Sequence, residues 1–245
     1  MKLKPQAGVT LIEVLIAVSL LSLLSVGVLV AMRIALSTME KTDDHLVRNR
    51  RVSNSEKLIE NELSGVMVTR AEYRPTPLDH RSIPFFQFEA DTMRFVTSYS
   101  LRDGFRGRPQ IAALRVIPGD HNVGLRLIVN ETPYTGSIQT GLMVTGFEPH
   151  PITGVPVTLF TPIIPGSQSF VLADRLATCR FAYLLPIPEP PFRVWRPDSS
   201  DPRLPLAIRI EMTALDKTPS EVHMSTVTAP LQINRDLFTQ YRDGY

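Results

Sequence analysis

The sequence predicts an α+β fold in which one long N-terminal helix, apolar enough at its start to cross a membrane, packs further along on antiparallel β-sheets. An almost unbroken apolar run extends from Val14 to Met32, interrupted only by three serines and one glycine. No proline occurs from Arg33 to about Val68, so the helix can continue beyond that run. After this point apolar and polar residues alternate, which is the period of strands.

The apolar run is long enough to be a transmembrane helix. At a rise of 1.5 Å per residue it measures roughly 28 Å, close to the thickness of the hydrocarbon core of a bilayer. Its serines, Ser19, Ser22 and Ser25, do not argue against a span, because a helical hydroxyl can bond to the carbonyl one turn earlier. Lys2 and Lys4 precede the run, and positive charge resists translocation. The sequence therefore predicts a single span with a cytoplasmic N-terminus.

Glu13 is an ionisable residue at the start of this run. A carboxylate at the edge of a membrane helix costs a few kcal/mol unless it has a partner, so it is a candidate functional residue. Gly8 precedes the apolar segment, whereas the cleavage site of a secretory signal follows it. If the chain is cut after Gly8, the new amino group of Val9 is a cation that can pair with Glu13 of another subunit. We therefore expect Glu13 to be an assembly residue.

The residues from Gly8 to Ala17, GVTLIEVLIA, resemble the class III prepilin leader of type IV pilins and type II secretion pseudopilins. The resemblance implies a pilin-like fold and cleavage between Gly8 and Val9 by a membrane aspartic peptidase, the prepilin peptidase. It also implies methylation of the new amine on Val9, with Glu13 as the fifth residue of the mature chain. Val9 departs from the phenylalanine that is usual in the family. The alternative is an uncleaved signal anchor that carries a glutamate near the interface by chance.

The same helix is predicted to continue from the span toward the first prolines as one long rod. Its apolar residues are spaced by seven, four and three positions, which places them on one helical face. They are Val52, Ile59, Leu63 and Val66. The strongly charged stretch 41–51 is predicted to be an exposed or subunit-facing neck. The sequence Arg74-Pro75-Thr76-Pro77 ends the helix, because proline removes a donor and disfavours helical geometry before it.

The remainder of the chain is predicted to be a meander of antiparallel strands. The predicted strands are 85–89, 92–99, 111–117, 125–131, 169–173, 179–185, 192–195, 206–213 and 222–227. Asp103-Gly104 and the segment GDHN at 119–122 are hairpin-like connections, and the second makes 111–117 and 125–131 the best-supported pair. The proline-rich stretches 149–165 and 186–202 are predicted to be surface loops or edges, with a docking role as the less favoured alternative.

Charge and cysteine content limit the classes of function. The chain has 26 Lys and Arg residues against 24 Asp and Glu, and removal of Lys2 and Lys4 with the leader makes the counts equal. A broad electrostatic case for nucleic acid or acidic substrates is therefore absent. Cys179 is the only cysteine, so no intramolecular disulfide can form. Its place in an alternating segment predicts a buried, inert thiol.

No familiar motif of a catalytic or cofactor site occurs. The sequence lacks GxSxG, Walker, GxGxxG and HExxH motifs, and the segment GSQSF at 166–170 lacks the final glycine of a nucleophile elbow. The histidines have no metal-ligand spacing; they are His45, His80, His121, His150 and His223. Asp198-Ser-Ser-Asp201 lacks the glycine and distal glutamate of a calcium loop and is predicted to be a turn. The sequence therefore predicts neither an enzyme, a metal site nor a cofactor.

A block near the C-terminus resembles, more narrowly, the minor pseudopilin J of type II secretion systems. It consists of LATCRFAY at 176–183, VWRP at 194–197 and LPLAIRI at 204–210, and DTMRFVT at 91–97 fits an early strand of the same family. The resemblance implies a subunit that forms, with pseudopilins I and K, the tip of a short periplasmic pseudopilus. Such a subunit helps to initiate assembly for protein export. Trp195 is a candidate interface residue, and a core position is the alternative.

These predictions divide the chain into five parts. They are a leader (1–8), a transmembrane and assembly helix (9–32), an extramembrane helix (33–74), a β-rich periplasmic head (75–230) and a C-terminal tail (231–245). The expected location is a bacterial inner membrane, from which the subunit is extracted into the pseudopilus. Two alternatives remain open: a minor pilin of a type IV pilus or competence system, and a membrane-anchored binding module.

Overall fold

The computed structural model describes residues 10–76, 78–151, 154–198, 204–215 and 223–231, with the backbone alone at 37–51. The chain divides into two compact units, Met1–Arg48 and Asn49–Tyr245. One helix, α1 (Leu11–Ser64), contributes residues to both. The second unit combines the end of this helix with antiparallel sheets, so the predicted α+β class is confirmed.

The described residues contain thirteen strands and a second, short helix, α2 (Ser137–Gly141). In chain order the strands are β1 (Val66–Met67), β2 (Arg70–Thr76), β3 (Asp79–Pro84), β4 (Gln87–Phe88), β5 (Thr92–Ser100), β6 (Phe105–Pro118), β7 (Leu125–Pro133), β8 (Val144–Pro149), β9 (Pro156–Phe160), β10 (Phe170–Pro186), β11 (Arg193–Arg196), β12 (Ala207–Ala214) and β13 (Val227–Pro230). Nine of them form an antiparallel sheet in the order β1-β5-β6-β7-β10-β12-β13, with β4 beside β5 and β11 beside β10. The pairs β2–β3 and β8–β9 are separate two-stranded ribbons.

The last turns of α1 pack on this sheet through the face that the sequence predicted. Ile59 and Leu63 are completely buried and belong to the main core, together with Phe95 and Leu114 of the sheet. Complete burial of an aliphatic side chain contributes about 1.5–3 kcal/mol. The helical spacing of Ile59 and Leu63 therefore correctly predicted the face of the helix that packs against the strands.

The helix ends at Ser64, so the predictions of a helix to about Val68 and of an extramembrane helix over 33–74 were wrong at this end. The Gly65 amide still donates to the Asn61 carbonyl (3.0 Å), but the Gly65 carbonyl accepts from the Ser98 amide (2.8 Å). Val66 then pairs with Thr97 in the sheet. A strand partner has replaced the next helical turn, and Arg74-Pro75-Thr76 lies in a strand instead of ending a helix.

The change from helix to strand requires a glycine at position 65. A Cβ at that position would lie 2.5 Å from Thr97 Oγ1 and 3.2 Å from the Tyr99 amide nitrogen, both closer than carbon contacts normally allow. Glycine therefore lets the helix end approach the backbone of β5.

The hairpin formed by β6 and β7 confirms the pair that the sequence supported best. Leu114 lies opposite Val129 in the register. In the turn, His121 and Asn122 adopt positive φ values of 55° and 61°, and the Gly119 amide donates to the Gly124 carbonyl at 2.9 Å. The other predicted connection, Asp103-Gly104, also joins adjacent strands, β5 and β6.

Several strand boundaries differ from the predictions. The predicted strands 169–173 and 179–185 are one strand, β10, because positive φ at Arg175 (53°) and shifts of register absorb the interruption. Only Gln87–Phe88 of the predicted strand 85–89 pairs. The strand predicted at 222–227 appears as Val227–Pro230, with residue 222 outside the described residues.

Both ribbons were missed by the sequence analysis. The stretch 149–165, predicted as a loop or an edge, contains β9, which pairs with β8 so that Pro149 lies opposite Pro156. A two-stranded ribbon has only edges, so it tolerates proline without losing a central hydrogen bond. The stretch 186–202 contains β11, which confirms the strand predicted at 192–195 with a shift of one residue and pairs with the end of β10.

Cys179 confirms the prediction of a buried thiol. It is 3% exposed within the main core, and burial raises the pKa of its thiol to about 12. A thiol with so high a pKa remains protonated near neutral pH, and the thiolate is the reactive form. Cys179 therefore acts as a small core residue.

A carboxyl group is also buried beneath the helix. Glu62 is completely buried, and neither of its carboxyl oxygens has a hydrogen-bonding partner in the described part of the chain. Burial, followed by the nearby carboxylate of Glu131, raises the pKa of Glu62 to about 9. Glu131 itself accepts hydrogen bonds from the backbone amides of Leu101 (2.6 Å) and Arg102 (3.2 Å). With a pKa of about 9, Glu62 is protonated at pH 7.

The variant Glu62→Gln is expected to reduce the dependence of stability on pH. Because the folded pKa of Glu62 (about 9) exceeds its ordinary value of 4.5, folding takes up a proton throughout this interval. Stability therefore falls as pH rises through it, by on the order of 1 kcal/mol per pH unit, and the amide removes this effect. Near-UV circular dichroism of the full chain in detergent, heated at pH values between about 6 and 9, measures the decline of the unfolding midpoint.

The matched control is Glu60→Gln, which changes an exposed glutamate on the same helix. It should retain the pH dependence of the unaltered chain. If the unfolding midpoint of Glu62→Gln falls with pH in parallel with that of the unaltered chain, Glu62 is not a neutral group in the folded state.

Candidate assembly segment

The described part of the N-terminal segment begins with a local hydrogen-bonding arrangement at Thr10. The Thr10 carbonyl accepts from the amides of Glu13 (3.0 Å) and Val14 (3.3 Å), which starts α1. The Glu13 carboxylate in turn accepts from the Thr10 amide and from Thr10 Oγ1, both at 3.4 Å. The order Thr-x-x-Glu is that of a capping box, in which the glutamate bonds back to the first residue. Thr10 and Glu13 thus define the start of the helix.

The Glu13 carboxylate remains available to a partner. Its two local hydrogen bonds are long, and the residue is exposed. It lies in the first turn of α1, where the helix dipole stabilises negative charge. Gly8 and Val9, the predicted cleavage site and methylation site, lie outside the described residues. The structure therefore describes the carboxylate of the predicted ion pair.

The apolar surface of this segment is continuous and exposed. The segment Leu11–Leu36, 26 residues long, has the length and composition of a membrane-spanning helix, and none of it is buried. It extends the predicted span from Val14 to Met32 at both ends. Exposed side chains range from 52% for Val30 to 84% for Leu11. Apolar surface of this extent is typical of membrane or protein contact sites.

The serines of the segment are locally satisfied. The hydroxyls of Ser19, Ser22 and Ser25 each donate to the carbonyl four residues earlier, at 2.8 Å. This arrangement reduces the cost of placing a hydroxyl in lipid, as the sequence analysis expected. A Cβ on Gly27 would have no neighbour within 4 Å among the described atoms. The small residues therefore leave shallow depressions in the helix surface, where a neighbouring helix can approach closely.

Trp195 lies in the second unit, on the outer face of the main sheet. It is half-buried on β11, opposite Leu184, and it is not among the buried side chains of the core. The Arg209 guanidinium carbon lies 3.9 Å from the centre of its ring. Arg209 has no signal in the sequence for this role, because the contact depends on β10 lying between β11 and β12.

The other predicted candidates form no centre in the described residues. No group of three or more His, Cys, Asp and Glu side chains suited to a metal ion occurs there. Asp198 Oδ2 lies 3.7 Å from His150 Nε2. Residues 199–201 of the predicted turn lie outside the described residues.

Arg94 is a further residue whose role was not predicted. Its guanidinium is buried, which lowers the pKa of Arg94 to about 10, and Nη2 donates to the Thr161 carbonyl at 2.7 Å. Arg115 Nη1 donates to the Ile163 carbonyl at 2.5 Å. These two arginines fix the segment after β9 to the sheet. Such a role has no local signal, because an arginine in an alternating strand ordinarily indicates a solvent-facing position.

Comparison with known proteins assigns the N-terminal segment. Residues 3–29 match the prokaryotic N-terminal methylation motif. No curated protein matches the chain. The match supports a type IV pilin-like protein, of a pilus or a pseudopilus, whose N-terminal helix has the length and composition to cross a membrane and is followed by a β-rich domain.

Proposed function

We propose that this protein is a minor pseudopilin of a type II secretion system, of the J subgroup. It would lie at the tip of the periplasmic pseudopilus, in the company of I-like and K-like pseudopilins, and help to initiate the assembly that exports proteins. The single observation that carries this proposal is the conjunction of the N-terminal methylation motif at 3–29 with the J-like block near the C-terminus.

The three pieces of the J-like block are neighbours in the folded head. Phe181 on β10 lies opposite Ile210 on β12, and Leu184 on β10 lies opposite Trp195 on β11. A resemblance that maps onto one continuous region of sheet supports a shared structural unit. The resemblance in this region supports the J subgroup specifically, whereas the N-terminal motif supports only a pilin-like protein in general.

The proposed maturation gives Glu13 its partner. Cleavage after Gly8 would place the amine of Val9 immediately before Thr10, at the positive end of the helix dipole. A cation is unfavourable there, so the amine gains from an external carboxylate. Glu13 of a neighbouring subunit fits this need, since its own hydrogen bonds are long (3.4 Å). The ion pair would fix the register between two helices in a medium of low dielectric constant.

The exposed apolar surface gives assembly its driving force. A helix that leaves the bilayer loses its lipid contacts, and water cannot replace them without a large hydrophobic cost. Neighbouring subunit helices can cover the same surface. The proposed subunit therefore exchanges lipid for helix contacts along Leu11–Leu36. In this proposal residues 1–8 are the leader, and the domain from residue 75 onward is periplasmic.

Mass spectrometry of the mature N-terminus tests the maturation step. The expected chain begins at Val9, carries one methyl group on its amine and has lost the leader from Met1 to Gly8. The control is Gly8→Glu, which should retain the leader because the leader that this segment resembles ends in glycine. Recovery of an intact leader on the unaltered protein would reject both pilin-type functions and leave a membrane-anchored binding module.

Substitution of Glu13 tests the assembly contact. Glu13→Ala and Glu13→Leu are expected to insert into the membrane normally, because removal of a charge makes the segment more apolar. Co-purification with I-like and K-like pseudopilins after cross-linking should fall by about tenfold, the equivalent of losing roughly 1.4 kcal/mol. Glu60→Ala, which removes an exposed carboxylate elsewhere on α1, is the matched control. Unchanged co-purification of the Glu13 variants contradicts the proposed ion pair.

Deletion of the gene distinguishes secretion from the alternative of a minor pilin in a type IV pilus or competence system. That alternative shares the same N-terminal motif and the same helix. Export of folded periplasmic proteins is expected to stop, while twitching and DNA uptake continue, and a plasmid copy should restore export. Normal export with loss of twitching or DNA uptake would assign the protein to a pilus.

A further inference from the structure

The outer face of the main sheet presents basic and aromatic side chains around Trp195. Over 179–184 of β10 and 208–212 of β12 alternate residues are buried in the core, among them Phe181 and Ile210. Arg180 and Arg209 therefore point to the opposite face. Trp195 lies on that face too, since it pairs with Leu184. We call Arg180, Arg193, Trp195 and Arg209 the arginine–tryptophan face.

Trp195 and Arg209 form the ordered centre of this face. The guanidinium carbon of Arg209 lies 3.9 Å from the centre of the indole ring, and its Nη1 lies 3.6 Å from Glu211 Oε1. A guanidinium held against a ring through its flat side keeps its N–H donors in its own plane, where an acceptor can reach them. The contact therefore orders both side chains before any partner arrives, which lowers the entropic cost of binding.

Arg180 and Arg193 extend the face and carry charges that the described residues do not neutralise. Both are exposed, and neither forms an ion pair within the described ranges. Arg180 lies opposite Glu211, and Arg193 lies two positions before Trp195 on the same strand. Three arginines thus share a face with one carboxylate. This local excess of positive charge contrasts with the nearly balanced charge of the whole chain.

The chemistry of the face suits carboxylates of a protein better than phosphates. The planar fork of arginine matches a carboxylate in a bidentate contact, and tryptophan and arginine are the residues enriched at the centres of protein interfaces. Glu211 lies within the face, where it would repel the dense negative charge of a nucleic acid or of an anionic membrane. A protein segment of mixed character, with spaced carboxylates, avoids this repulsion.

We propose that the arginine–tryptophan face binds a carboxylate-rich segment of a partner protein. Trp195 supplies the central apolar contact, Arg209 supplies an oriented donor, and Arg180 and Arg193 supply the flanking charges. The inference deepens the proposed function, on which it rests only for the premise that the head has protein partners. It adds which surface of the head contacts the partner and which chemical groups the partner's segment carries.

The chain itself provides the measurement, because Trp195 is its only tryptophan. The full chain in non-ionic detergent is titrated with a peptide in which about four glutamates alternate with serines, and tryptophan emission is recorded. A saturable change in emission is expected, because carboxylates drawn to Arg209 alter the cation over the ring. The same peptide with glutamine in place of each glutamate should give no change. Binding should weaken as salt is added, because the flanking charges are exposed.

Two variants and a control decide whether the response belongs to this face. The double variant Arg180→Gln and Arg193→Gln retains Trp195 and Arg209 and should weaken binding by about tenfold. Arg209→Gln should change the emission of the free chain and also weaken binding. Arg108→Gln, at an exposed arginine on β6, should bind as the unaltered chain does. Far-UV circular dichroism checks that each variant is folded.

Other results overturn the inference. These are the absence of a saturable change with the glutamate peptide, equal binding by the double variant and the unaltered chain, and equal weakening by Arg108→Gln. Tighter binding of phosphatidylglycerol vesicles or of single-stranded DNA than of the glutamate peptide would assign the face to phosphates instead. Failure of this titration leaves the processing of the N-terminus untouched, so it is distinguishable from failure of the proposed function.

Discussion

The fold of the second unit depends on the close approach of the last turns of α1 to strand β5. Ile59 and Leu63 are completely buried in the main core, and Thr97 Oγ1 on β5 donates to the Glu62 carbonyl at 3.1 Å. Gly65 occupies the closest point, where a Cβ would lie 2.5 Å from that same hydroxyl. The helix end is thus joined to the sheet by apolar packing and by a hydrogen bond. Because Gly65 and Val66 then enter the sheet, helix and strand positions are fixed together.

This approach explains why a carboxyl group is buried. A helix that places Ile59 and Leu63 in the core also turns Glu62 toward the sheet, because a residue three positions after Ile59 lies only about 60° from it around the helix. Water is excluded there, so the carboxyl binds a proton instead of carrying a charge, and its pKa rises to about 9. Glu131, which lies nearby, keeps the backbone amides of Leu101 and Arg102 as donors. The packing of the helix is gained at some expense in electrostatic free energy.

The sequence predicted those features that depend on local chemistry. The spacing of Ile59 and Leu63, the turn at 119–122 and the alternation around Cys179 each act within a few residues, and the structure agrees with each of them. Glu13 and the apolar run were recognised for the same reason. The residues that escaped prediction depend on distant partners. Val66 continues the helical spacing, yet pairing with Thr97 determines its conformation. Residues 174–178 were left between two predicted strands, yet pairing with β7 and β12 keeps β10 continuous.

Glu13 and Glu62 show why residue type alone does not assign a role on this helix. Both are glutamates of α1, and both lie among apolar neighbours. Glu62 has no hydrogen-bonding partner among the described residues and is enclosed by the sheet, so protonation is its only route to neutrality. Glu13 is exposed at the first turn, where its carboxylate accepts only two long hydrogen bonds from Thr10. A carboxylate with such weak local partners can still bind a cation from another molecule. The difference in environment makes Glu62 a structural group within the head and leaves Glu13 as the carboxylate suited to an intermolecular contact.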